Sequence, residues 1–228
     1  MLTSLRGGLI VSCQSYPSEP LRNPEAMCLI AQSVALGGAV GIRAQGIRDI
    51  ELIHEAVRLP QIGLWKVGAE GVFITPTLEH ALAVAKAGAE IVAIDGTRRP
   101  RPDGLTLAAT IAAIHYRTGA LVMADAGSFD DGLAAQDAGA DIVGTTLSGY
   151  TGEIPKTTGP DVGLLSRLVA ALSVPIFAEG RIHTPEQARA AIEVGAYAVV
   201  VGTAITHPTS ITQWFAAAVR SANGTAQG

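Results

Sequence analysis

The sequence predicts an α/β fold, a (β/α)8 TIM barrel in a single domain, and three observations carry that expectation. First, three stretches are near copies of one another: "AGAEIVAIDGT" at 87–97, "AGADIVGTTLS" at 138–148 and "VGAYAVVVGTA" at 194–204. In each, a glycine punctuates a helix end, a run of mostly apolar residues follows, and a small or polar residue closes it. Second, the strand-like runs do not alternate polar with apolar residues. Their sheet must be covered on both faces, hence parallel with crossover helices. Third, eight such units fit in about 220 residues, the count and size of this barrel. A doubly wound open sheet is the alternative arrangement of the same units.

Strands are expected at Leu9–Cys13, Ala39–Ile42, Ile62–Trp65, Ile91–Ile94, Leu121–Ala124, Ile142–Thr145, Pro175–Ala178 and Ala198–Val201. Helical patterns start near Asn23, Gly46, Thr77, Gly104, Ser128, Gly159, Thr184 and Pro208. "NPE" at 23–25 and "TPEQ" at 184–187 are start signals, in which Asn or Thr caps the helix and Pro takes its first turn. Gly88, Gly139 and Gly195 fit C-terminal caps. No interior linker or composition break divides the chain. The barrel is expected over 1–221, with 222–228 as a frayed tail.

Composition narrows the function classes. Apolar residues make up 48% of the 228, enough for a large core, and aromatics only 4%. The net charge of −4 and the lack of a Lys/Arg block argue against nucleic acid as a partner. No apolar run approaches the ~18 residues of a membrane span, so the expectation is a soluble, cytoplasmic protein. Cys13 and Cys28 form neither a disulfide framework nor a metal spacing and read as core thiols. No His/Cys/Asp/Glu grouping has metal-ligand spacing, and no metal is expected.

In such a barrel the active site is built at the carboxyl ends of the strands. Those positions read Gln14, Arg43, Lys66, Asp95, Asp125, the cluster Thr145, Thr146 and Ser148, then Glu179, then Gly202 and Thr203. Polar residues naturally end strands, but five charged groups at equivalent ends are hard to explain that way. Lys66 stands out among only three lysines, because it follows "QIGLW" and leaves an apolar strand toward the barrel mouth. A free lysine has a pKa near 10.4, so acting as a base at pH 7 costs about 4.6 kcal/mol in protonation alone. Partial desolvation and a nearby cation such as Arg43 would remove most of that cost. The bland alternative is a structural ion pair.

"AEGRI" at 178–182 and "VVGTAI" at 200–205 end strands seven and eight. Both place glycine where backbone N–H groups can approach an anion, and barrels often bind phosphate there. Gly180, Arg181, Gly202 and Thr203 are the candidate cradle, with His207 just beyond. His54, His80 and His115 fall in helical segments and read as surface or packing residues, and His183 as part of a helix entry.

The runs "LIVSCQSYPSEPL", "GAVGIRAQGIRDI", "ITPTLEHA", "RPRPDG", "TTLSGYTG", "AEGRIHTPEQA" and "VGTAIT" together resemble the N-acylglucosamine-6-phosphate 2-epimerase family. The resemblance runs from about residue 5 to about residue 215. It implies interconversion of N-acetylmannosamine 6-phosphate and N-acetylglucosamine 6-phosphate in sialic acid breakdown, with no cofactor. It also implies a homodimer and a phosphorylated amino sugar as ligand. Lys66 matches the residue that exchanges the C2 proton, and Glu179 the acid that acts on the ring oxygen and C1 hydroxyl during ring opening. Gln14, Arg43 and Asp125 match sugar contacts. Gly180, Arg181, Gly202 and Thr203 match the phosphate end, where His207 stands at a position relatives usually fill with arginine. "ADAGS" at 124–128 stands where relatives read "ADIST", and the run after Lys66 is shorter than theirs.

The residue types suit this chemistry. A neutral amine can take the C2 proton once ring opening provides a carbonyl at C1. A carboxylic acid leaving an apolar strand has a raised pKa, which suits a group that must hold its proton near neutrality. Two other readings stay open: a Schiff-base aldolase or lyase using Lys66, and a catalytically silent sugar-phosphate binder.

Overall fold

The computed structural model describes residues 1–225. Eight parallel strands close on themselves in chain order: β1(Leu9–Cys13), β2(Gly41–Gln45), β3(Gln61–Leu64), β4(Ile91–Asp95), β5(Leu121–Asp125), β6(Ile142–Gly144), β7(Ile176–Glu179) and β8(Ala198–Val201). Strand β1 pairs with both β2 and β8, so no edge is left open. The crossovers are α1(Pro24–Leu36), α2(Ile47–Ala56), α3(Leu78–Lys86), α4(Leu107–Thr118), α5(Phe129–Asp137), α6(Val162–Ala171) and α7(Pro185–Glu193). After β8 come the short α8(Thr203–Thr206) and α9(Pro208–Thr225). The expected (β/α)8 barrel is the fold found.

Local chemistry sets the helix ends. Asn23 accepts a hydrogen bond from the Ala26 N–H, with Pro24 at the first helical position. Thr184 and Gln187 form a reciprocal capping box at α7. Such caps are worth about 1 kcal/mol each. The three repeat glycines follow α3, α5 and α7 with φ of 114°, 94° and 110° for Gly88, Gly139 and Gly195. That left-handed geometry strains any residue with a Cβ.

Strand side chains alternate between two apolar layers. Ile10, Ile62, Leu64, Ile91, Met123, Ile142, Phe177 and Val200 fill the barrel interior. Val11, Ile42, Val92, Val122, Val143, Ala178 and Val199 pack outward under the helices. Following the inward parity along each strand leads from these apolar residues to Gln14, Arg43, Lys66, Asp95, Asp125, Thr146, Glu179 and Gly202. The polar ring is therefore the last inward layer of the barrel. Gly63 belongs to the outward set: a Cβ there would lie 2.5 Å from Ala89 Cβ and 2.8 Å from Val84 Cγ1, so α3 packs closely on β3 because the position is bare.

Several expectations are corrected. Strand β2 runs over Gly41–Gln45 rather than Ala39–Ile42, which puts Arg43 mid-strand, paired with Ser12 and Ile62. A guanidinium ordinarily ends an apolar run, but this one has buried counter-ions. Helices α4 and α6 start at Leu107 and Val162, not near Gly104 and Gly159, because Thr106 and Asp161 supply the caps. A 3-10 turn at Leu2–Leu5, absent from the expected elements, puts the fully buried Leu5 into the barrel interior. Helix α9 continues past 221 to Thr225, so no break marks the expected boundary; 226–228 of the expected frayed tail lie outside the described residues. Among the described residues no helix is long and apolar enough to cross a membrane.

Candidate active site

At the carboxyl end of the barrel the polar layer opens into a cavity of about 350 Å³, within the size range of small-molecule sites. Gln14, Arg43, Lys66, Thr146 and Glu179 line it, and so do Gly180, Arg181, Gly202, Thr203 and His207. The structure thus brings nine of the ten expected residues, all but Asp125, around one cavity.

Lys66 lies just beyond β3, where the chain turns back on itself and pairs Lys66 with Ile74. Thr75 secures that turn. Its N–H donates to Trp65 O at 2.8 Å, and its Oγ1 accepts from Trp65 N–H at 3.1 Å and donates to Ala93 O at 2.7 Å. Thr75 is fully buried with φ of 46°. Such a conformation costs a branched residue energy and persists where contacts over-determine it. Arg101 adds to the clamp, donating to Thr75 O and Asp95 O at 2.8 and 2.9 Å. The Lys66 Nζ donates to Gln14 Oε1 at 2.7 Å, while Gln14 Nε2 donates to Ser12 Oγ at 2.6 Å.

Beneath Lys66 sits a buried charge network. Arg43, 1% exposed, donates from Nη2 to Asp125 Oδ2 at 2.6 Å and from Nη1 to Oδ1 at 3.2 Å, and its Nη1 also lies 3.2 Å from Glu179 Oε2. Thr146 Oγ1 joins the two carboxylates, 2.7 Å from Asp125 Oδ1 and 3.0 Å from Glu179 Oε2. One cation therefore serves two acids.

This arrangement moves protons in opposite directions at the two candidate groups. Burial pushes the Glu179 carboxyl up to about 7; Arg43 opposes that shift and Asp125 reinforces it. Burial lowers the Lys66 pKa, and Arg43 lowers it further, while Glu179 and Asp125 pull it back. Lys66 is exposed where it lines the cavity, so solvent screens part of its shift. Its hydrogen-bond partner is a neutral amide, which does not lock the amine in its charged form.

Two expectations at the strand ends are corrected. Asp125 does not reach the cavity; it is fully buried, with both oxygens taken by Arg43 and Thr146. Burying the Arg43 charge demands such a counter-ion. Asp95 is likewise fully buried, held by Thr97 and Arg99, and lies outside the cavity lining. The residues of the candidate phosphate cradle line the cavity. Gly180 and Arg181 have φ of 110° and 57°, and Thr203 begins α8. The Arg181 guanidinium donates to Ser148 O, Gly159 O and Thr157 Oγ1, so it pins the loop after β6. Thr75, which secures the turn carrying Lys66, escaped sequence reasoning; "ITPT" contains it without marking that part.

A family model described as "Putative N-acetylmannosamine-6-phosphate epimerase" matches residues 27–221. The chain belongs to this family of enzymes. Two relatives named "Putative N-acetylmannosamine-6-phosphate 2-epimerase" agree. The one from Cutibacterium acnes is 58% identical over 222 residues, 96% of this chain and 97% of the relative. The one from Caldanaerobacter subterraneus subsp. tengcongensis is 49% identical, covering 94% and 92%. The solved N-acetylmannosamine-6-phosphate 2-epimerase from Clostridium perfringens superposes with a TM-score of 0.92 at 41% identity, over 95% of each chain. A thiamine phosphate pyrophosphorylase from Pyrococcus furiosus, at TM-score 0.60 and 16% identity over 91% and 90%, shares the fold alone.

Proposed function

We propose that this epimerase-family chain interconverts N-acetylmannosamine 6-phosphate and N-acetylglucosamine 6-phosphate, with Lys66 as the base at C2 and Glu179 as the acid of ring opening. The observation that carries the reading is the pair of opposed environments in one cavity: an amine driven toward neutrality and a carboxyl driven toward protonation. Environments that push two titratable groups apart in this way mark an acid and a base. Glu179 protonates the ring oxygen as the C1–O bond breaks, and the C1 hydroxyl proton returns to the carboxylate, leaving an aldehyde. Neutral Lys66 then takes the C2 proton, and the electron pair moves onto the C1 oxygen. Arg43 and the ammonium of Lys66 supply the positive charge that stabilises the resulting enolate. Return of a proton to the opposite face inverts C2. The aldehyde is the electron sink, so the reaction runs without a cofactor. Gln14 orients Lys66 and the sugar, and the main chain at Gly180, Arg181, Gly202 and Thr203, with His207, receives the phosphate. Asp125 acts by holding Arg43.

The test is turnover of N-acetylmannosamine 6-phosphate in D2O followed by NMR. Conversion with deuterium at C2, lost in Lys66→Ala, is the expected result. Absence of both conversion and exchange would sink the reading, and a borohydride-trapped adduct on Lys66 would replace it with Schiff-base chemistry. The reading also assigns the chain to the cytoplasm and to sialic acid breakdown. A homodimer, which the family resemblance implies, would cover the apolar side chains that α9 exposes: Trp214 at 40%, Phe215 at 71% and Val219 at 63%. Light scattering reads the dimer directly, and Phe215→Glu is expected to weaken it.

A further inference from the structure

A buried polar atom in the cavity wall lacks a partner. His207 is 5% exposed, and its Nδ1 is enclosed with no hydrogen bond. Glu19 Oε2 lies 3.5 Å from that nitrogen and accepts the Tyr16 N–H at 2.8 Å, which fixes the carboxylate in place. The Tyr16 ring meets the imidazole edge-on, with centroids 4.4 Å apart. The ring lies between α8 and α9 and lines the cavity with Gly202 and Thr203 on one strand end and Gly180 on the next.

These contacts leave His207 finely balanced. As a neutral ring with its proton on Nε2 it leaves Nδ1 unpartnered, and an orphaned buried polar atom costs about 1–3 kcal/mol. As an imidazolium it would donate from Nδ1 to Glu19. Burial and the charge of Lys66 favour the neutral ring, while Glu19 and the Gln14 main chain favour the protonated one; the sum lowers its pKa. An anion arriving in the cavity adds to the second side. It offsets both the burial of a charge and the repulsion from Lys66.

We propose that His207 and Glu19 form a proton-accepting wall at the phosphate end of the cavity, where His207 takes up one proton from solvent as a phosphate dianion binds. The imidazolium then faces the phosphate on one side and the Glu19 carboxylate on the other. No bond to the phosphate forms or breaks. The proposal rests on the phosphate placement given under the proposed function, and it makes ligand affinity depend on pH through a residue that does not touch C2.

The probe is D-glucitol 6-phosphate, an open-chain sugar phosphate with no carbonyl through which to react. Titration calorimetry at pH 8 in two buffers of different ionisation enthalpy counts protons exchanged on binding; the ligand, with a second pKa near 6, is already dianionic there. The wild-type enzyme is expected to take up a measurable fraction of a proton, and Kd to weaken between pH 7 and 8.5 by up to about tenfold per pH unit. His207→Gln and Glu19→Gln are each expected to shrink both effects, the remainder in His207→Gln being what Glu179 and Lys66, in the same cavity, take up as the anion binds. In 15N-histidine spectra of the wild-type protein, one histidine should move to the imidazolium range on saturation, a readout that needs no variant. Proton uptake undiminished in His207→Gln, or binding without uptake in the wild type, overturns the proposal and leaves the phosphate placement standing. Equal affinity for D-glucitol and its 6-phosphate overturns the placement itself, and the proposal with it.

Discussion

Glu179→Gln should make the protein more stable at neutral pH while removing its activity. In the folded chain the carboxyl titrates at about 7 against an ordinary value of 4.5, chiefly because it is buried. Below pH 4.5 both folded and unfolded chains carry the proton and the group contributes nothing to the difference. Between 4.5 and 7 the unfolded chain releases its proton while the folded chain keeps it, so stability falls as pH rises through that window. The gap amounts to about 3 kcal/mol at 1.36 kcal/mol per pH unit, an upper bound for a group that shares Arg43 with Asp125. Glutamine keeps the shape and can still accept from Thr146, so the variant escapes this cost. For a chain of this size about 1 kcal/mol moves Tm by roughly 2–4 °C. Differential scanning fluorimetry at pH 4 and pH 8 should show a gain of several degrees for the variant at pH 8 and little at pH 4. Equal gains at both pH values would falsify the titration argument, and a loss at pH 8 would mean that the Arg43–Glu179 attraction outweighs burial.

Three further outcomes follow from the same contacts. Arg43→Met leaves Asp125 buried without its cation and should cost about 3–5 kcal/mol; in urea unfolding, Arg43→Met/Asp125→Asn should recover part of that loss, and a double variant no better than the single would contradict the pairing. Thr75→Ala orphans the Trp65 N–H and should cost about 1–3 kcal/mol. Because the clamp aims Lys66, it should also lower kcat more than it changes KM; a purely structural role would lower stability alone. Asp49, in the first turn of α2, is pushed up to about 6, mainly by burial, with Arg22 opposing and Glu25 adding. Stability tied to it is lost as pH rises from about 4 to 6, so Asp49→Asn should raise Tm at pH 7.5 and leave it unchanged near pH 3.5, as read by calorimetry.

The fold is legible in the sequence because parallel barrels leave two strong marks, strands that are apolar on both faces and glycines that end the intervening helices. Lys66 and Glu179 are legible for a related reason, since a charge leaving such a strand has only the barrel mouth to enter. Depth is less legible. Arg43 reads as the end of a strand because nothing nearby announces a counter-ion; Asp125 stands 82 residues later. The same separation hides the pairing of Asp125 with Arg43. Thr75 is hidden more completely. Its φ of 46° and its paired bonds to Trp65 come from a chain reversal that no residue type in "ITPT" enforces by itself. His207 is visible as a polar residue beyond the last strand, but its relation to Glu19 crosses the whole chain.

The Arg43–Asp125 bond also bears on how this protein can be divided. Many barrels can be thought of as two half-barrels of four strands each. Here the first half, β1 to β4, carries the cation, while Asp125 and Glu179, the two acids that balance it, both belong to the second. Cut between β4 and β5, the amino-terminal fragment would have to bury a guanidinium with neither acid present, and the carboxyl-terminal fragment two carboxylates without their cation. Each half holds the other's missing charge, so reassembly of the fragments, rather than folding of either alone, is the route by which a split version would regain its shape.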